Sequence, residues 1–210
     1  MGLLSEILEA LIVESFEGAS FDFEHFKQLR NYKERNAYAK QSGLVLLGHG
    51  MARTAYALTP TKVLKIASDA QQSSMEFSAF ETFGKDFCPV IYDHDPHFAW
   101  MIVERAQTWP TNEDFTGSTG LTENWLIHFG DFLKNYNSPK DPAQAFQEFE
   151  KKKKPIEADE VRPTKRGKDL IRKFVYLTKA GMDDIDRFDH WGITPDNRLV
   201  CIDLGMTHGD

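Results

Sequence analysis

The stretch Leu47-Gly48-His49-Gly50-Met51-Ala52-Arg53-Thr54-Ala55-Tyr56-Ala57-Leu58, followed past Pro60 by Lys62-Val63-Leu64-Lys65-Ile66-Ala67, decides how this chain is read. Its two strand-like runs, Thr54–Leu58 and Lys62–Ala67, are joined through a proline turn and entered through a glycine turn. Gly48 and Gly50 let the backbone come close to a bound anion, and amides in such a turn can donate to phosphate oxygens. A plain hairpin turn would carry two glycines equally well, and the third glycine of a phosphate-cradling loop is missing. Lys65 says more. It lies between Leu64 and Ile66 in a strand, where an ammonium is costly to bury without a partner. Either it points outward from a half-buried strand, or it meets an anion. Glu76, with Glu81 in reserve, is the candidate on the helical stretch that comes next.

Around this core lie further elements. Leu44–Leu47 reads as a strand before the turn, and Gln71–Phe83 as a helix after Lys65. Val90–Tyr92 and Phe98–Glu104 read as two more strands around the polar turn Asp93–His97, which makes a five-stranded sheet with a helix inserted after its third strand. Beyond Glu104 the pattern turns helical. Trp125, Phe129, Phe132, Leu133 and Tyr136 repeat at helical spacing. Asp141-Pro142 is a helix start, and Leu170, Ile171, Phe174, Val175 and Thr178 form a helix that Gly181 ends. Lys151–Arg166, charged and twice interrupted by proline, reads as an exposed loop. Trp191–Thr194 and Leu199–Ile202 flank Pro195-Asp196-Asn197-Arg198 as a hairpin. Upstream, Leu3, Leu4, Ile7, Leu8, Leu11 and Ile12 mark one amphipathic helix, and Asp22–Ala39, with Phe23, Phe26 and Leu29, a second. These two helices are expected to pack on the elements C-terminal to them, or against another subunit. The expected class is α+β: residues 1–40 a helical extension, 41–106 a sheet lobe with five antiparallel strands, and 107–210 a reduced, mostly helical lobe.

Composition narrows the function. With 210 residues, 41% hydrophobic and 27% charged, the chain can bury a core without staples. A net charge of −7 argues against a dedicated nucleic-acid binder. Lys151–Lys154 with Arg162, Lys165, Arg166 and Lys168 is the one basic cluster, expected to be a solvated loop. Cys88 and Cys201 have no metal or CxxC spacing. No apolar run reaches bilayer length. Glu6, Glu9 and Glu14 interrupt the apolar start, where a secretory signal would be expected to have a basic start and an uncharged centre, and Glu6 fits myristoylation badly. A cytoplasmic protein without a membrane segment is expected.

The C-terminal hairpin adds chemistry. In Val200-Cys201-Ile202-Asp203-Leu204-Gly205 an acid comes after an apolar strand, well placed to hold Mg²⁺, which prefers hard oxygen ligands. Upstream, Asp183-Asp184-Ile185-Asp186-Arg187-Phe188-Asp189-His190-Trp191-Gly192 is dense in carboxylates, any of which is a solvated acid or a group that orients an attacking hydroxyl.

In this order the parts resemble the protein kinase family: glycine turn, strand lysine, helix glutamate, hinge strand, acidic loop, Asp-x-Gly. They are most similar to short kinase-like proteins of bacteriophages. Those carry a Gly-x-Gly turn ending in Ala-Tyr, a Val-x-Lys strand, and an Asp-rich loop leading through Trp-Gly and a hairpin turn to a final Ile-Asp-Tyr/Phe-Gly. Here these are Gly48–Tyr56, Val63–Lys65 and Asp184–Gly205. The resemblance implies that Gly48 and Gly50 cover ATP phosphates and that Lys65, held by Glu76, meets the α- and β-phosphates. Val103, Glu104 and Arg105 would form the adenine hinge, and Asp203 would bind Mg²⁺ or Mn²⁺. It implies phosphorylation of Ser or Thr on host or phage proteins. The loop departs from the family: His190 stands where a metal-binding Asn is expected, and the base position falls on Ile185. Asp184 is the favoured base and Asp186 the other candidate. Asp189, five residues after Asp184, would replace the Asn as metal ligand beside His190. These departures keep three other readings open. One is a pseudokinase that inhibits or scaffolds a host protein in host takeover. The others are a small-molecule phosphotransferase and an acidic interaction protein that binds no nucleotide.

Overall fold

The computed structural model describes residues 21–135, 141–152, 161–182 and 185–203. The helix expected around Leu3–Ile12, Asp184 and Gly205 lie outside them. Two compact units are present: one runs to Ala106 and takes in Thr194–Asp196, and the other holds Gln107–Ile193 and the chain from Asn197.

In the first unit, the stretch expected as one helix over Asp22–Ala39 is two. Asp22 caps α1 (Phe23–Gln28) by accepting from the His25 amide at 3.1 Å. Leu29 turns its amide back to the Phe26 carbonyl, which ends that helix. Asn31 then caps α2 (Tyr32–Gln41), accepting from the Glu34 amide at 3.0 Å. A second capping side chain, three residues past the end of the first helix, starts another.

Five strands come next: β1 (Val45–His49), β2 (Arg53–Thr59), β3 (Lys62–Ala67), β4 (Ile91–His94) and β5 (Trp100–Glu104). All neighbours are antiparallel, in the order β1-β2-β3-β5-β4, with α3 (Ala70–Phe83) inserted after β3. The class is therefore the expected α+β one, with a five-stranded antiparallel sheet. Strand alternation gives the sheet two unlike faces. Tyr56, Leu64, Ile66, Trp100 and Ile102 point to one face and bury Phe26, Ala39 and Leu44 against them. Here α1 and α2 pack on the sheet of their own chain. The other face carries Val63, Met101 and Val103, with Phe77 of α3 against them.

The second unit is mostly helical: α4 (Asn112–Thr119), α5 (Glu123–Asn135), α6 (Pro142–Lys152), α7 (Lys165–Lys179) and the hairpin β6 (Trp191–Ile193) with β7 (Leu199–Cys201). Trp125, Phe129, Phe149, Phe174 and Trp191 are all buried, and ring centroids such as Trp125–Phe129 and Phe129–Phe149 stand 4.6 and 5.3 Å apart. The helix α4 has no apolar period to betray it. Thr111 caps it, accepting from the Asp114 amide at 3.1 Å, and Gly120 ends it at φ 70°. A Cβ at Gly120 would collide with the Arg162 carbonyl, so glycine is required there twice over. The expected loop Lys151–Arg166 is shorter than its charge suggested: Lys151 and Lys152 close α6, and Lys165 and Arg166 open α7 under the Thr164 cap. Among the described residues no helix is long and apolar enough to cross a membrane.

This packing has two measurable consequences. Phe26 is fully buried, so Phe26→Ala should destabilise the fold by about 3–5 kcal/mol in urea unfolding. Tyr56 donates to Asn36 Oδ1 at 3.0 Å, and burial, then the nearby Tyr32 phenol, hold its pKa above the ordinary 10.0. Folding thus favours the protonated phenol, and its contribution is lost as pH climbs past the unfolded value through the raised folded one. Unfolding free energy should fall above about pH 10, and fall less steeply in Tyr56→Phe.

Candidate functional site

Lys65 sits mid-strand in β3, opposite Ala55 on one side and Met101 on the other, and Ala55 in turn faces Gly48. One cross-strand row therefore runs from the glycine turn through Lys65 to β5, on the face away from α1 and α2. Asp69 caps α3 by accepting from the Gln71 amide at 2.9 Å, and the helix then carries Glu76 over this row. Lys65 Nζ donates to Glu76 Oε1 at 2.6 Å. Glu81, the reserve partner, is exposed. Glu76 has a second cation that the sequence did not single out: the Arg53 guanidinium donates to its Oε2. Lys65 and Arg53 are each 8% exposed and Glu76 2%. By alternation Arg53 projects to the same face as Lys65, two places along β2 from Ala55. Removing this carboxylate takes away the buried anion that both cations share. Glu76→Ala should therefore cost about 3–5 kcal/mol of stability, read by urea unfolding.

The glycine turn is placed by the same strands. The strand β1 has a bulge between Leu46 and Gly48 and runs on to His49, so Gly48 lies within the strand and Gly50 in the turn proper. The Gly50 amide donates to the Arg53 carbonyl at 2.9 Å, and Ser68 reaches back with its amide to Ala52 at 2.8 Å. Neither Gly48 nor Gly50 is among the positive-φ glycines. A Cβ at Gly48 would meet nothing within 4 Å, and at Gly50 only the Arg53 carbonyl at 3.9 Å. The fold itself does not demand glycine at either position, and the space over both is open.

On β5, Val103 pairs with Val63 of β3 and Ile91 of β4, so its backbone is flanked on both sides. The Glu104 amide donates to Val90 at 2.7 Å and the Arg105 amide to Thr61 at 2.8 Å. Both expected hinge amides are thus engaged inside the unit, while Gln107 pairs with Ile193 in the second unit. Val63, Met101 and Val103 form a small buried apolar cluster beside Lys65, with the partly buried Ala55 packed against it.

In the second unit, Asp186 is half-buried and lines a shallow depression with Gly130, Lys134, Phe174 and Thr178. Asp189 is held by Arg187 through both oxygens, at 3.1 and 2.8 Å. His190 is buried, with its Nε2 3.9 Å from Asp189 Oδ1, and its carbonyl accepts from Ile202 at 2.8 Å. Asp203 comes just after β7, and its carbonyl accepts from the Cys201 thiol at 3.6 Å. Buried Lys173 of α7 donates to the Leu199 carbonyl at 2.5 Å and stands 3.1 Å from Asp169, so it ties that helix to β7. Its position in a regular amphipathic helix gave no signal of this. Among the described residues, no three His, Cys, Asp or Glu side chains group closely enough to hold a metal.

No family model matches the chain, and no curated protein matches it. Among solved structures it is similar to a SAICAR-synthase from Saccharomyces cerevisiae complexed with SAICAR, at 13% identity over 78% of this chain and 74% of that one, with a TM-score of 0.36. A second SAICAR synthase structure matches at 14% identity over the same shares, with a TM-score of 0.33. Likenesses this slight carry no argument about fold or activity.

Proposed function

We propose that this chain is a kinase-like phosphotransferase that binds ATP with Mg²⁺ or Mn²⁺ and phosphorylates Ser or Thr of a protein. One observation carries the reading: a buried lysine, held by a helix glutamate, shares a cross-strand row with a glycine turn whose glycines the fold does not need. A buried ammonium already held in place is suited to the α- and β-phosphates, and the absence of a side chain at Gly48 and Gly50 leaves room for phosphate oxygens close to the backbone of the turn. Ala55, partly buried against the Val63 and Val103 cluster, would offer an apolar contact to a purine ring. Because the Glu104 and Arg105 amides are engaged, the adenine edge would be met by carbonyls of this segment or by the Ala106 amide. Asp203 supplies the hard oxygen donor that suits Mg²⁺, which would neutralise phosphate charge when bound. Asp184 or Asp186 would hold the proton of the attacking hydroxyl on a carboxylate oxygen.

A second reading, nucleotide binding without transfer, is favoured by one detail. Both oxygens of Asp189 are taken by Arg187, so the acid proposed to replace the missing Asn is already committed to a guanidinium.

The deciding experiment supplies γ-labelled ATP with Mg²⁺ or Mn²⁺, alone and with cell lysate. Label on protein is expected, with a loss of about a hundredfold or more in Lys65→Ala and in Asp203→Ala. ATP-dependent thermal stabilisation without label would support binding alone, and neither effect would sink the nucleotide reading. Gly48→Ala and Gly50→Ala give a finer test. Stability should stay within about 1 kcal/mol of the parent while the KM for ATP rises. A large stability loss would mean that the glycines serve the fold instead.

A further inference from the structure

Arg53 occupies an unusual junction. Its carbonyl accepts the Gly50 amide at 2.9 Å and so closes the glycine turn. Its guanidinium is buried on Glu76 Oε2, while Lys65 takes Oε1. A carboxylate held through one oxygen alone can rotate about its last bond, and a flexible lysine moves with it. A cation on each oxygen removes that freedom, and charge-assisted bonds in a buried setting are the strong ones. The planar, permanently charged guanidinium suits the task better than a second lysine would.

We infer that Arg53 is a positioning residue of the phosphate site: it clamps Glu76 so that Lys65 is held at one point, and it fastens the glycine turn to that pair. The inference rests on the ATP reading above and names what sets the site's preference for phosphates. A clamp of this kind acts on the phosphate end of a nucleotide and not on the purine end beside Ala55. A staple that merely supports the fold would weaken both ends alike.

The test is calorimetric titration of the full chain with MgATP, MgADP and adenosine, for the parent, Arg53→Met and Arg53→Lys, with circular dichroism to check folding. Arg53→Met is expected to weaken ATP and ADP by about tenfold or more and adenosine by less than about twofold. Arg53→Lys should fall between Arg53→Met and the parent for ATP, because charge is kept and planarity lost. If Arg53→Met does not fold, Arg53→Lys decides alone: ATP weakened by about threefold with adenosine unchanged supports the clamp. ATP affinity equal to the parent, or adenosine lost in the same proportion as ATP, overturns it while leaving nucleotide binding intact. A parent chain that binds none of the three ligands would remove the nucleotide reading and the role of Arg53 together.

Discussion

A charged lysine set between leucine and isoleucine in the middle strand of a sheet is costly to bury without an anionic partner, and much of the first unit is arranged around that need. The helix α3 leaves β3 at once, is capped by Asp69, and carries Glu76 two turns along to Lys65. Its neighbour Phe77 covers Val63, Met101 and Val103 beside the pair. Because this face is given over partly to charge, apolar burial concentrates on the opposite one. There α1 and α2 close over Tyr56, Leu64, Ile66 and Trp100 with Phe26 and Ala39. The N-terminal helices are therefore part of the sheet's packing, since without them the large side chains on that face would lie open to water.

The glycines separate two kinds of demand. Gly120 and Gly167 stand where a Cβ would collide with the backbone, at Arg162 and Thr119 respectively, and their identity is explained by packing between α4 and the start of α7. Gly48 and Gly50 have neither a positive φ nor a close neighbour. A residue type that the fold leaves unexplained points to something outside the fold, and an anion meeting bare backbone is the natural candidate. Arg53, one step beyond that turn, joins it to the Glu76 cluster through backbone and side chain at once.

The acidic loop of the second unit is less open than its composition suggests. Asp189 is bound to Arg187, Trp191 donates its ring N–H to the Ile185 carbonyl at 2.8 Å, and His190 is buried. Density of carboxylates along a chain says nothing of how many are already taken by neighbouring cations, and here a cation two residues away takes one of them. The hairpin that precedes Asp203 is secured from below by Lys173, whose ammonium reaches the Leu199 carbonyl.

Much of the sheet was legible in the sequence because it is written in local pattern. The third strand, Lys62–Ala67, has the expected bounds, α3 begins one residue early at Ala70, and Asp141-Pro142 and Gly181 mark helix ends as their chemistry requires. What failed was equally local in cause: Asn31 restarts a helix inside an apolar period, and α4 is polar enough to be visible only by its caps. The sequence left Lys65 either pointing outward or meeting an anion, because burial of an ammonium without one is costly wherever it occurs, and it offered Glu76 as the candidate. That Lys65 is buried and takes Glu76 over the reserve Glu81, that Arg53 shares it, and that Arg187 binds Asp189 were decided by tertiary structure. Each depends on strand register, helix phase or loop conformation, which bring together groups whose meeting no spacing along the chain specifies.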